Sequence, residues 1–89
     1  MQLLNSVLIE GIFIQFTTPE NKEENEFLID TNGAKIRVKV TGKLAELSCS
    51  HLYKGRHVRI VGKLINVGKE NKVIINAEHI EYMPAKKED

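Results

Sequence analysis

The chain changes its hydrophobic period only once, and that change restricts its fold more than any other feature. Five runs alternate apolar and polar residues, and one segment instead repeats every three to four. A strand sends successive side chains to opposite faces, whereas a helix gathers residues three and four apart onto one face. The period-two runs are Val7–Phe16 and residues 27–30, 35–41, 57–65 and 71–82. Between the third and fourth runs, Leu44, Leu47, His51 and Leu52 carry helical spacing over residues 43–54. Gly55 follows Lys54, which suits a helix closed by a left-handed residue with a cation in its last turn. The predicted order is β-β-β-α-β-β.

The first run is apolar on both sides, with Leu8, Ile12, Ile14 and Phe16 on one and Val7, Ile9 and Phe13 on the other. Such a strand must be covered twice, by bending between two sheets or by meeting another subunit. Gly11, in its middle, predicts a bulge or bend. Residues 35–41 alternate cleanly, with Ile36, Val38 and Val40 on one face and Lys35, Arg37, Lys39 and Thr41 on the other. In the fourth run Val58, Ile60 and Leu64 are predicted core residues, and Gly62 marks another bend. In the fifth, the parity shift near Glu78 and His79 predicts a bulge. Residues 17–25 are polar and contain a proline, which reads as a loop. Asn32 and Gly33 tolerate the positive φ angles of a type I′ turn, so they predict a tight hairpin.

Five strands with a helix between the third and fourth is the order of the OB-fold. That all-β architecture is a partly open five-stranded Greek-key barrel whose face and loops bind oligonucleotides or oligosaccharides. The barrel is predicted over residues 1–84, followed by a charged end at 85–89. A chain of 89 residues with 28% charged and 42% hydrophobic side chains supports one folded domain, not a multi-domain enzyme. No apolar run is long enough to span a bilayer, and the N-terminus lacks the charge and apolar core of a secretory signal. One cysteine, Cys49, leaves no internal disulfide, and the expected setting is the cytoplasm.

Net charge is +1, but it is distributed unevenly. Residues 1–34 carry one lysine against six carboxylates, for −5, and residues 35–72 carry ten basic side chains against two carboxylates, for +8. Residues 73–89 add −2. A segment this basic is a candidate polyanion surface, set against the plainer reading of a face kept soluble by lysines. Lys35, Arg37 and Lys39 favour binding. They lie on one face of the strand that meets ligands in OB-folds, at a spacing of roughly 6.6–7 Å, comparable with phosphates along a single strand. Arg59, Lys63 and Lys72 extend that surface.

Four segments carry a family resemblance. Leu4-Asn5-Ser6-Val7-Leu8-Ile9-Glu10-Gly11 resembles the opening strand of bacterial single-stranded DNA-binding proteins. Val40-Thr41-Gly42-Lys43-Leu44-Ala45-Glu46 is similar to that family's passage from the third strand into the helix. Leu52-Tyr53-Lys54-Gly55-Arg56-His57-Val58-Arg59-Ile60-Val61-Gly62-Lys63-Leu64 is similar to its helix end and fourth strand. Asn76-Ala77-Glu78-His79-Ile80-Glu81-Tyr82 resembles its closing strand. The match runs in order over most of the chain, with a gap near residues 17–34.

The resemblance implies a homo-oligomer, dimer or tetramer, that binds single-stranded DNA without strong sequence preference in replication, repair or recombination. It implies a bacterial, nucleoid-associated setting, and replication or repair proteins as partners. The expected nucleic-acid surface comprises Lys35, Arg37, Lys39, Thr41, Lys43, Arg56, Arg59, Lys63, Lys69 and Lys72, with Phe27 and Tyr82 as candidate exposed rings. The expected oligomer interface comprises Leu4, Val7, Ile9, Gly11 and Phe13. The chain departs from the family in having no Trp, in placing Thr41 and Lys35 where stacking aromatics are usual, and in short hairpin loops. The sequence stops at Asp89 without the family's acidic–aromatic tip, which leaves open either a tail removed by truncation or a natural short relative like the tail-less primosomal replication protein N. The alternative is a primosomal-type or other OB-fold protein-interaction module with weak nucleic-acid binding, RNA included, since phosphate contacts read neither base nor 2′-OH.

Catalytic and metal chemistry are not expected. His51, His57 and His79 have no cysteine or carboxylate at ligand spacing. Cys49 reads as a small packing residue of the helix, and Tyr53 and Phe16 as rings packed on the barrel. No phosphate-binding or dinucleotide glycine motif is present, so neither enzyme activity nor a cofactor is expected.

Overall fold

The structure is a computed structural model that describes residues 3–84; the charged end expected at 85–89 lies outside the described residues. Five strands and one helix follow in the predicted order: β1 (Val7–Phe16), β2 (Glu24–Thr31), β3 (Ala34–Thr41), α1 (Lys43–His51), β4 (His57–Val67) and β5 (Lys72–Tyr82). The strands close into a barrel in the order β1-β2-β3-β5-β4, with β4 returning to β1. All pairs are antiparallel except β3 with β5, which run parallel and pair only at Val38–Lys39 against Ile75–Asn76. Among the described residues, no helix is long and apolar enough to cross a membrane.

β1 is shared between two neighbours. Residues Val7 to Ile12 pair with β4, and Ile12 to Phe16 pair with β2. The bulge in β1 falls at Ile14, between Phe13 and Gln15, rather than at the expected Gly11. The extra residue reverses the alternation, so Phe13 and Phe16 both turn inward. With Phe27 they form a cluster of rings whose centroids lie 5.1, 5.7 and 6.3 Å apart. Part of the two-sided apolar character of β1 is therefore one inward face that changes parity. Leu8 and Ile12 remain outside, 69% and 41% exposed. Gly11 serves close approach instead, because a Cβ there would lie 2.8 Å from Thr31 Oγ1 and 2.9 Å from Ile29 Cδ1.

Asn32 and Gly33 take φ values of 53° and 93°, the double positive φ that a type I′ turn requires, and Thr31 faces Ala34 across it. The expected bulge at Glu78 is present, since Val61 pairs with His79 while Gly62 pairs with Ala77. The core holds Phe27, Ile29, Val38, Val40, Val58 and Ile60, all fully buried. Leu64 corrects the sequence expectation: it keeps core parity but is 47% exposed, on the part of the β4–β5 hairpin beyond the residues that pair with β1. The second strand also runs longer than expected, since its polar ends Glu24 to Glu26 pair along β3.

The helix ends at His51, three residues early, with Leu52 already extended, so Gly55 is not its cap. Gly55 takes its positive φ in the turn that leads into β4, where its N–H donates to the Phe13 carbonyl. The buried helix face is made of Ala45 and Ser48, not of Leu47 and His51. Small residues let the helix sit close to β2, and there Asn25, 1% exposed, donates to Ser48 Oγ at 2.9 Å and to the Ala45 carbonyl at 3.2 Å. Its Oδ1 accepts the Asn21 N–H at 2.7 Å, tying the β1–β2 loop to the helix.

Candidate nucleic-acid interface

The outward face of β3 carries Lys35, Arg37, Lys39 and Thr41, as the alternation predicts. Antiparallel pairing sets β2 beside it, with Glu24 opposite Thr41, Glu26 opposite Lys39, Leu28 opposite Arg37 and Asp30 opposite Lys35. The acidic N-terminal third of the chain thus lies against the basic row. Two of its three cations reach diagonally, Arg37 to Glu26 at 3.5 Å and Lys39 to Glu24 at 2.8 Å. The Glu24 contact raises the Lys39 pKa above its ordinary value. Asp30 is occupied differently, its Oδ1 accepting the Gly33 N–H at 2.8 Å in the hairpin turn. Lys35 is exposed and makes no ion pair among the described residues.

The other expected cations are spread over several walls. Arg59 donates to Glu10 on β1 from Nε at 3.0 Å and reaches Glu81 at 3.7 Å. Hydrogen bonds from His57 and Arg59 hold the Glu10 carboxyl below its usual pKa. Lys63 faces Glu78, Lys72 faces Glu70 and Lys43 faces Glu46. Lys69 is exposed in the β4–β5 turn. Arg56 lies beside β1, where its carbonyl accepts the Phe13 N–H.

One stretch of the basic surface is concave. β3 and β5 pair over only two residues. Beyond them a groove of about 400 Å³ is lined by Lys35, Arg37 and Lys72 over Leu28, Ile36, Val73 and Ile74. Val73 is 58% exposed, an aliphatic side chain facing solvent between cations. Sequence reasoning missed this aliphatic floor. The available signal was Val73 directly beside Lys72 at the start of β5.

Two sets of expected residues need correction. Phe27 is fully buried at the centre of the ring cluster and offers no face to a base. The reason is β2 parity, which points Asn25, Phe27 and Ile29 inward together. Tyr82 is half-buried, its hydroxyl enclosed without a hydrogen-bond partner among the described residues, and burial raises its pKa. Tyr53, expected to pack on the barrel, is 48% exposed. In the expected oligomer interface, Gly11 and Phe13 are buried in the barrel and Val7 and Ile9 pack against its core. Only Leu4, 97% exposed, is available. The outward β1 row is Leu8, Glu10 and Ile12, with Leu8 directly opposite Val61 of β4.

No protein-family model and no curated protein matches the chain. Solved structures do. An SSB domain from Synechococcus sp. aligns with a TM-score of 0.70 at 15% identity, over 90% of this chain and 97% of that one. A mitochondrial single-stranded DNA binding protein from S. cerevisiae aligns with a TM-score of 0.72 at 13% identity, over 92% and 96%. A chain of a replication protein A heterotrimer bound to ssDNA aligns with a TM-score of 0.69 at 16% identity; it covers 92% of this chain, which spans 60% of its length. Likeness at this identity speaks to architecture. With a closed five-stranded barrel and a helix between β3 and β4, the chain is an OB-fold.

Proposed function

We propose that the protein binds single-stranded DNA in the groove between β3 and β5, mainly through charge and without strong sequence preference. The observation that carries this reading is the placement of Lys35, Arg37 and Lys72 around an aliphatic floor on one concave surface. Phosphates meet the cations, and bases lie over Leu28, Ile36 and Val73. An aliphatic floor does not supply the roughly 1–3 kcal/mol per base that aromatic stacking adds. Phosphate neutralisation therefore dominates, and such contacts carry no sequence information. That the aligned structures are named for single-stranded DNA binding or its complex supports the same ligand. Holding exposed strands in replication, repair or recombination is the role this chemistry suits, with no catalytic step.

The carboxylates beside the row set the strength. A phosphate must replace Glu26 at Arg37 and Glu70 at Lys72, so each contact is an exchange of anions. Of the three groove cations, Lys35 alone has no carboxylate partner among the described residues and meets a phosphate without that exchange. We expect binding that is weak for its fold and strongly salt-dependent. The test is fluorescence anisotropy with labelled oligo-dT on the protein and on its Lys35→Glu/Lys72→Glu variant. Reversing both charges should weaken binding roughly tenfold or more at low salt. Unchanged affinity would move the site elsewhere and favour the protein-interaction reading.

We also infer self-association through the outer β1–β4 face near Leu4, Leu8 and Val61. Leu8 and Val61 are direct cross-strand neighbours, and two of these three side chains are largely solvent-exposed.

A further inference from the structure

At the start of β4, where His57 faces Ile12 of β1, lies a second concavity of about 530 Å³. Ile12, Tyr53, Met83 and Pro84 form its apolar walls, and Lys54, Arg56 and His57 supply its basic groups. Among the described residues no carboxylate lines it, and Glu10 stands behind it, 2.9 Å from His57 Nε2. The Arg56 guanidinium lies 5.3 Å from the Tyr53 ring centroid and 5.6 Å from that of Tyr82. Its Nη1 donates to the Tyr53 hydroxyl at 3.2 Å. Arg37 and Arg59 are both paired with carboxylates, whereas Arg56 has none among the described residues. Among the described residues, Arg56 Nε and the Tyr82 hydroxyl are enclosed without hydrogen-bond partners. A guanidinium fixed between two rings, short of partners and beside an apolar hollow, is prepared for an anion that carries an apolar group.

We propose that this pocket docks a partner protein's acidic peptide segment, a carboxylate adjoining a large aliphatic or aromatic side chain. The carboxylate meets the outer N–H groups of Arg56, with Lys54 adding charge at the rim. The apolar side chain enters between Ile12, Tyr53 and Met83, and the flexible thioether of Met83 adapts to its shape. Docking covers Ile12 and Tyr53, which stand 41% and 48% exposed in water. A peptide fits better than a nucleic acid. The Tyr82 ring is already engaged by His51, with centroids 5.0 Å apart, and by Arg56, so it has little to offer a base. This site is independent of the β3–β5 groove.

The test is NMR of the isotope-labelled full chain titrated with the peptide Ser-Asp-Glu-Leu-Phe bearing a free carboxylate. Signals of the Ile12 and Met83 methyls and of Arg56 Nε–Hε should shift saturably. The uncharged counterpart Ser-Asn-Gln-Leu-Phe-amide should bind at least tenfold more weakly. Arg56→Gln should lose the peptide. Ile12→Thr, a surface change that leaves the arginine stack intact, should weaken it as well. Lys35→Glu/Lys72→Glu should bind the peptide like the parent even if it no longer binds oligo-dT, which separates this site from the groove. Four outcomes would overturn the proposal. They are the absence of a saturable shift, equal binding of the uncharged peptide, the same shifts produced by oligo-dT, and the same shifts produced by raising protein concentration alone. The last two would assign the pocket to nucleic acid or to a second copy.

Discussion

Gly62 has no room for a methyl group. A Cβ there would run into the Asn76 carbonyl oxygen across the β4–β5 bulge, and that oxygen is backbone, which cannot move aside cheaply. Gly62→Ala should cost roughly 1–3 kcal/mol of stability in a denaturant titration. Gly11→Ala should cost less, because two of the three atoms it meets are the ends of the Thr31 and Ile29 side chains. Asn25 is a different kind of constraint. Its amide satisfies groups on α1 and on the β1–β2 loop at once, so Asn25→Ala leaves buried partners unpaired and should cost about 1–3 kcal/mol. Tyr82 runs the opposite way. Its enclosed hydroxyl has no partner among the described residues, so Tyr82→Phe should leave stability at neutral pH unchanged or slightly raised. Because burial raises its pKa, the unfolded chain ionises first as pH climbs past the ordinary tyrosine value of 10.0. Stability present below that pH is then lost above it, and Tyr82→Phe should flatten the alkaline limb of a stability–pH profile. Glu10 has the reverse sign. Its lowered pKa contributes stability above the ordinary value of 4.5 that is lost as pH falls through the lowered one.

At the scale of elements, the β2–β3 ladder decides how much of the basic row can act. Glu26→Gln removes the carboxylate from Arg37 without adding charge. Oligo-dT affinity should rise about two- to fivefold, the equivalent of a surface ion pair's ~0.5–1 kcal/mol. An unchanged affinity in anisotropy would mean that Arg37 does not contact phosphate. The strand order, the helix position, the Asn32-Gly33 hairpin and the Glu78 bulge were legible in the sequence, because each is carried by a local period or by a positive-φ residue pair. The pairing of Lys39 with Glu24 was not, since it depends on a register between strands that alternation within one strand leaves open. The fate of Phe27 was lost for a related reason. Residues 27–30 alone form too short a run to fix parity, and only the polar extension to Glu24 shows that Phe27 shares its face with Asn25 and Ile29. In β1, one extra residue at Ile14 reversed the parity of everything after it, and no glycine marks the spot.

At the scale of the molecule, the charge map of the chain and that of the barrel differ. A segment of +8 suggests a polyanion surface, yet closing the barrel brings the acidic β2 and Glu10 against it. What remains is a local cationic groove rather than a basic face. Self-association through the outer β1–β4 face predicts that Leu8→Glu lowers the mass seen in sedimentation equilibrium and leaves the far-ultraviolet spectrum intact; an unchanged mass would remove Leu8 from any interface. The central claim is single-strand binding by charge in the β3–β5 groove. Its most direct test is anisotropy of labelled oligo-dT and of a duplex of equal length, read at about 50 and about 200 mM salt. With about three phosphates neutralised, single-strand affinity should fall roughly 15–20-fold between those conditions and exceed duplex affinity at both. No binding at the lower salt, equal binding of the duplex, or affinity indifferent to salt would contradict it.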